Sequence, residues 1–452
     1  MRRARELIAR FVPRGAAILS ILLFGSYLMG LLRDRIFAGT FGASAELDAY
    51  NAAFQLPEIL FDVLVEAGLA AAFIPIFVRL RSEADRGEAD RFARVVLTIG
   101  VTVMGVGSVL LFAFAEPLVG LVAPGFVGAQ RALYLDLFRL MLVTQVLFAA
   151  SLTLGQILLV EQRYVWYGIA PLLYNAGIAA GTLTLAEPLG IYAAAIGAMA
   201  GAAVHLGSRF VGLRHSSFRI GFARPRWDAP IRDFVRLTLP KLVSQPLEPI
   251  TILFFNAVAS GLAAGSLSIL SYARNFQSVP VSLVGVAFAV AAFPALSRAF
   301  AAGDRPRFRR LFGTNLVSIA ALTVAAAVVM IVVGELAIGI LLGGGAFGPD
   351  EVATTAAVLS AFALSVPFES ASQLLSRAIF ATRHTLFQAL ASIAGLLISI
   401  AATLLLVGEL DLLAFPLSFA IGQAAKTTLL AVVLGWRLRT WPATSPLGEW
   451  SG

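Results

Sequence analysis

Cysteine is absent from the 452 residues, which excludes disulfides and thiolate metal sites. Histidine is nearly absent. His205, His215 and His384 lie far apart and close to loops, which speaks against a metal cluster. Lysine occurs only as Lys241 and Lys426, so arginine carries almost all the positive charge. Charged residues make up 13% of the chain against 59% hydrophobic. No acid–base set or metal-ligand set emerges from so few polar groups, and an enzyme is not expected. Gly343-Gly344-Gly345 has no following Lys-Ser/Thr and reads as a turn, not a phosphate loop.

What the chain has in abundance is long apolar stretches. They cover 15–37, 47–78, 95–122, 133–160, 166–186, 190–212, 234–259, 264–300, 312–342, 352–381, 386–407 and 411–436. About 20 apolar residues suffice to cross a bilayer core as a helix, and backbone hydrogen bonding in hydrocarbon requires the helix. The first stretch runs into Arg33-Asp34-Arg35 with no small-residue cleavage site, so it reads as a retained helix and not a signal peptide.

Arginine marks every second loop. The set is Arg2 to Arg14, Arg79 to Arg94, Arg163, Arg209 to Arg232, Arg298 to Arg310, Arg383, and finally Arg437 and Arg439. The alternate loops carry little, Arg131 being the clearest exception. By the positive-inside rule both termini are cytoplasmic, in a multi-pass protein of the bacterial inner membrane. The net charge of +8 is therefore topological, with anionic lipid and not nucleic acid as its neighbour.

A faint repeat suggests two halves. Tyr50-Asn-Ala-Ala-Phe-Gln-Leu-Pro57 is echoed by Tyr272-Ala-Arg-Asn-Phe-Gln-Ser-Val-Pro280, and Ala70-Ala-Ala-Phe-Ile-Pro75 by Ala291-Ala-Phe-Pro294. The offset of six helices keeps the orientation, giving a parallel repeat. The expected fold is an all-α polytopic membrane protein of about 12 transmembrane helices, in two parallel six-helix lobes around a central cavity. The lobes are 1–213 and 233–440. Residues 214–232 form an amphipathic interfacial connector carrying Phe218, Phe222 and Trp227, and 441–452 form a short cytoplasmic tail.

Ionisable groups inside a membrane are costly and usually face a cavity. Arg33, Asp34, Asp48 and Glu66 in the first half, with Lys241, Glu248 and Arg274 in the second, are the candidate substrate-binding residues. Glu58, Asp62 and Glu66 are spaced i, i+4, i+8 and share a helical face, with Arg33 or Arg35 at hand as a basic partner. Pro57 should kink that helix. Pro240, Pro246 and Pro249 beside Lys241 and Glu248 mark a broken helix. Asp34 lies about 100° around the helix from Arg33, which leaves Arg33 free for an anionic head group.

These residues resemble the MurJ/MviN family of lipid II flippases, within the multidrug/oligosaccharidyl-lipid/polysaccharide exporter superfamily. The resemblance is carried by Gly30-Leu-Leu-Arg-Asp34, Phe41-Gly42, Asp48-Ala49, Phe54-Gln-Leu-Pro57, Glu66 and Ala72-Phe-Ile-Pro75. A second echo is Tyr272-Ala273, Pro280, Gly285-Val-Ala287 and Pro294-Ala-Leu-Ser297. It implies a flippase moving a polyprenyl-pyrophosphate-linked peptidoglycan precursor, lipid II, from inner to outer leaflet by alternating access. The alternative is another exporter of the superfamily, for a different lipid-linked oligosaccharide or a drug. Cavity arginines meeting the pyrophosphate are implied, with Arg33, Asp34 and Asp48 in family positions. At other family arginine positions this chain has Tyr27 and Phe61, and Arg274-Asn275 shifts a third by one residue. No cofactor is implied. Coupling to H+ or Na+ through Asp34, Asp48 or Glu66 is left open, and cell-wall synthesis proteins are the partners the resemblance suggests.

Overall fold

The computed structural model describes residues 14–83, 86–244, 247–382 and 385–441. Helix dominates them and no β-strand occurs among them. The helices are α1 Arg14–Phe41, α2 Ala45–Phe61, α3 Ile74–Glu83, α4 Arg86–Ala113, α5 Ala115–Val122, α6 Gly128–Val160, α7 Tyr164–Leu189 and α8 Tyr192–Leu213. They continue as α9 Ala229–Ser244, α10 Leu247–Ala259, α11 Ser266–Pro280, α12 Ala287–Ala301, α13 Arg305–Leu341, α14 Pro349–Ala363, α15 Val366–Ala381, α16 Thr385–Leu410 and α17 Ala414–Arg439.

Nine helical stretches among the described residues are long and apolar enough to span a bilayer. One of them, Leu386–Arg439, holds two helices joined by a short 3-10 turn at Asp411–Leu413. The expected spans missing from that set are the ones built from α2–α3 and from α9–α10. Of these, α10 is apolar but only 13 residues long, and α2 is followed by π-helical turns, the first of which carries Asp62 and Glu66. Membrane-facing surface is plain elsewhere: Val332 on α13 and Leu405 on α16 are 75% and 79% exposed. Such side chains have hydrocarbon as their solvent.

The chain divides into two compact units. One comprises Met1–Gly265 with Gly344–Phe347. The other comprises Ser266–Gly343 with Gly348–Gly452. This division falls one helical hairpin later than the connector 214–232.

In the first unit, α7 and α8 cross with almost no side chain between them. A Cβ on Gly177 or Gly181 would strike the backbone of Gly201 or Gly197. Small residues at this spacing let helix backbones approach in the absence of a water-driven hydrophobic effect. The unit's core stacks Phe73 on Phe77 and Phe92, with ring centroids 5.3 and 5.7 Å apart. In the second unit Phe308, Leu374, Ile379 and Leu430 are fully buried, and Trp441 packs on Phe300 and Phe308 at 4.9 and 5.4 Å.

The repeat seen in sequence has a structural counterpart. Pro57 sits inside α2 and is followed by π-helical turns at Asp62–Glu66 and Leu69–Phe73. Pro280 ends α11 and is followed by a π-helical turn at Val281–Val286. Proline withholds an N–H from the i→i−4 ladder, and a π turn is one way a helix absorbs the lost register. The expected break beside Pro246 lies outside the described residues, between α9 and α10.

The arginine alternation also has a physical counterpart in the first unit. Arginine-poor loops meet one another: Gly125 N donates to Ser260 Oγ at 2.9 Å, and Ala346 N to Gly39 O at 2.9 Å. Arginine-rich segments meet one another too, through Arg79–Asp233 at 3.0 Å, Arg81–Glu161 at 3.0 Å and Arg91–Asp228 at 2.8 Å. The exception, Arg131, is paired with Glu116 at 3.0 Å.

Candidate functional site

Arg33 projects from α1 toward α7. Its guanidinium does not stand free of Asp34, contrary to the expectation from helical geometry. Nη2 and Nε reach Asp34 Oδ1 at 2.7 and 3.1 Å. A long arginine stem can fold back onto the adjacent carboxylate, so the Cα angle did not decide the pairing. Arg33 Nη1 donates to Asn175 Oδ1 at 3.0 Å, and the guanidinium lies 6.0 Å from the Phe37 ring centroid. The Arg33 side chain is 25% exposed and that of Asp34 8%. Three hydrogen bonds thus hold the guanidinium, and a quarter of the side chain stays exposed.

Asn175 was not legible as a site residue. Its Nδ2 donates to Pro171 O at 3.1 Å, which fixes its amide orientation. Pro171 in turn cannot donate to Tyr167 O. Arg209, 3% exposed on α8, fills that gap: its Nη1 donates to Tyr167 O at 2.9 Å and to Trp166 O at 2.6 Å. Among the described residues no carboxylate lies within ion-pair distance of Arg209. Beside it Ser151 Oγ and His205 Nδ1 are 2.7 Å apart. Sequence reasoning counted Arg209 as a loop charge. A proline in α7 with an arginine on the neighbouring helix is the signal that could have located it.

Asp48 is 2% exposed in the first turn of α2, behind the N-cap Ser44. Its Oδ2 accepts from Gly265 N at 2.7 Å. Gly265 has φ +90°, and a Cβ there would strike Ala43 O. Asp48 thus ties the α2 start to the turn before α11.

Glu58 is exposed, and Asp62 and Glu66 are half-buried. The π turn at Asp62–Glu66 alters the register that the i, i+4, i+8 spacing assumed. No arginine among the described residues lies within 4.0 Å of any of these three carboxylates, so Arg33 and Arg35 are not their ion-pair partners. Glu248 is exposed in the first turn of α10. The side chain of Lys241 lies outside the described residues.

In the second unit Arg274 anchors a separate polar cluster. Its Nη1 reaches Gln277 Oε1 at 2.9 Å and Glu369 Oε2 at 3.4 Å. Gln277 Nε2 donates to Glu369 Oε2 at 2.8 Å and to Ser365 Oγ at 3.1 Å. The guanidinium stacks 4.3 Å from the Phe419 ring centroid. Gln277, Ser365 and Phe419 are the members of this cluster that sequence reasoning missed. No group of His, Cys, Asp and Glu among the described residues could hold a metal ion. Gly344 and Phe347 close a turn by an isolated bridge, as the glycine run suggested.

A model of the family described as lipid II flippase MurJ matches residues 37–446. The chain belongs to the MurJ family. Probable lipid II flippases MurJ resemble it in Rhizobium meliloti (strain 1021), with 27% identity over 80% of this chain and 68% of that one. A second from Thermotoga maritima (strain ATCC 43589 / DSM 3109 / JCM 10099 / NBRC 100826 / MSB8) has 27% identity over 81% and 73%. Among solved structures, a lipid II flippase MurJ in an inward closed conformation superposes with TM-score 0.79 at 24% identity, covering 93% of this chain and 87% of that chain. An inward-facing multidrug resistance MATE family transporter of the MOP superfamily gives TM-score 0.80 at 15% identity, covering 93% of this chain and 96% of that chain. The fold is therefore that of MurJ and MATE membrane transporters. MurJ proteins are transporters and not enzymes, and this member is a multi-pass membrane protein.

Proposed function

We propose that this MurJ family member carries lipid II from the inner to the outer leaflet by alternating access. The observation that carries the proposal is the family match over residues 37–446, together with a half-open Arg33 inside a membrane-spanning helix. A pyrophosphate offers paired oxygens, and a planar guanidinium meets such pairs with parallel hydrogen bonds. Asp34 and Asn175 hold the fork in place, so little side-chain entropy remains to be lost on binding. Glu66, Glu248 and Lys241 are kept as proposed substrate-binding residues of the first unit and Arg274 as one of the second, where Glu369, Gln277 and Phe419 steady it.

The proposed working lobes are 1–213 and 233–440, joined by 214–232. Both termini are placed in the cytoplasm on the arginine count. A coupled proton or sodium ion would act at Asp34, Asp48 or Glu66, of which Glu66 has no arginine within 4.0 Å among the described residues. Cell-wall synthesis proteins are proposed as partners because they make and consume lipid II.

Expression in a bacterium depleted of its own lipid II flippase tests this. Restored growth and cell shape are the expected result. Failure of a well-expressed, membrane-inserted protein, with transport of a different lipid-linked glycan in vesicles, would replace the substrate and keep the fold.

A further inference from the structure

The stretch between α8 and α9, which has no helix or strand, is pinned to the first unit. Phe218 is 3% exposed and belongs to the unit's core. Arg94 Nε donates to Arg219 O at 2.8 Å, Ala223 N donates to Thr98 Oγ1 at 3.0 Å, and Arg91 pairs with Asp228 at 2.8 Å. Between these pins the side chains face outward. Ile220 is 39% exposed, Phe222 69% and Trp227 71%. Arg219, Arg224 and Arg226 are exposed too, and no carboxylate among the described residues lies within ion-pair distance of them.

The depth of this strap follows from its partners on α4. Arg94 and Thr98 are one helical turn apart. Before them α4 carries Arg86, Glu88, Asp90 and Arg91, and after Arg94 it has no charged residue up to Ala113. The strap therefore crosses α4 where the charged turns give way to the apolar span, which is the head-group level of a bilayer. Arginines there are expected from topology alone. Outward aromatic residues interleaved with them at one depth are not. A solvated loop of a water-facing surface has no reason to expose Phe222 and Trp227 while burying Phe218.

We propose that residues 219–227 form a binding strip for anionic phospholipid. The guanidiniums of Arg219, Arg224 and Arg226 meet the phosphate groups, and Phe222 and Trp227 insert at the boundary between head groups and acyl chains. The strip is rigid before binding, because hydrogen bonds to α4 hold it on both sides of Phe222. The proposal rests on the membrane placement of α4 and is independent of which lipid-linked substrate is carried. Which leaflet is involved follows the arginine-based topology.

The cysteine-free chain makes the test direct. A single Trp227→Cys substitution in the full-length protein is labelled with an environment-sensitive fluorophore. The protein is reconstituted in phosphatidylcholine vesicles containing brominated phosphatidylglycerol or, at equal mole fraction, brominated phosphatidylcholine. Each arginine near an anionic surface favours it by up to roughly five-fold, so quenching by the anionic lipid should exceed that by the zwitterionic lipid by about two-fold or more. The excess should vanish in Arg219→Gln/Arg224→Gln/Arg226→Gln and at about 1 M salt, where the screening length falls to about 3 Å. Label at Val332→Cys, on the exposed face of α13, should be quenched equally by both lipids and confirms insertion. Equal quenching at position 227 by both lipids would overturn the anionic preference. No quenching by either, with normal quenching at 332, would overturn the contact itself.

Discussion

Removing Arg33 has two consequences that can be separated. Arg33→Ala deletes the proposed pyrophosphate contact and also removes the guanidinium that pairs with Asp34, whose side chain is 8% exposed within a membrane-spanning helix. Breaking a buried pair from one side typically costs about 3–5 kcal/mol, whereas replacing both members by apolar groups is often neutral. Arg33→Ala should therefore lose both stability and transport. Arg33→Leu/Asp34→Leu should recover most of the stability and none of the transport. A hydrogen bond to a charged group contributes about 1.5–3 kcal/mol, so the double variant should flip at least about 10- to 150-fold more slowly. Arg33→Lys keeps the charge without the fork, and its flipping should fall between wild type and Arg33→Ala. Thermal unfolding in nanodiscs reads stability, and protection of fluorescent lipid II from an external reductant in vesicles reads flipping. A stable double variant that flips at the wild-type rate would refute the role of Arg33. An Arg33→Ala protein as stable as wild type would refute the energetic importance of the pair.

Arg209→Met should destabilise the first unit by about 1–3 kcal/mol, because Tyr167 O loses its donor where Pro171 cannot supply one. Adding Pro171→Ala should restore an N–H and recover part of the loss in thermal unfolding; no recovery would mean that the carbonyl is not the reason. Asp48→Ala should lower stability by about 1–3 kcal/mol and speed hydrogen exchange at the Gly265 amide, whereas Asp48→Asn, which keeps an acceptor, should do less. Unchanged Gly265 exchange in Asp48→Ala would contradict the pinning role. Reporter fusions at Arg86 and Asp304 should both read as cytoplasmic, and a periplasmic signal at either would contradict the arginine-based topology.

Much of the membrane architecture was legible because bilayer physics acts locally. Span length, apolarity and loop arginines are properties of contiguous residues, and so is the Pro57/Pro280 repeat that resurfaced as proline followed by a π turn. The site was legible only in part. Arg33, Asp34 and Arg274 stand out as charges in apolar sequence. Asn175 and Gln277 are ordinary polar residues until a partner is known.

The residues of this chain determined by themselves that it is an all-helical membrane protein, roughly where each helix runs, and which family it belongs to. Only the tertiary structure decided who pairs with whom. Arg33 turns to Asp34 and Asn175 because a flexible guanidinium seeks the nearest acceptors in three dimensions. Arg209 turns inward because Pro171 leaves a carbonyl without a donor on the neighbouring helix. Asp48 goes to a backbone amide more than two hundred residues away in sequence, at Gly265. Hydropathy depends on what a residue is and on its near neighbours along the chain. A hydrogen bond depends on directions and distances across helices that packing alone brings together.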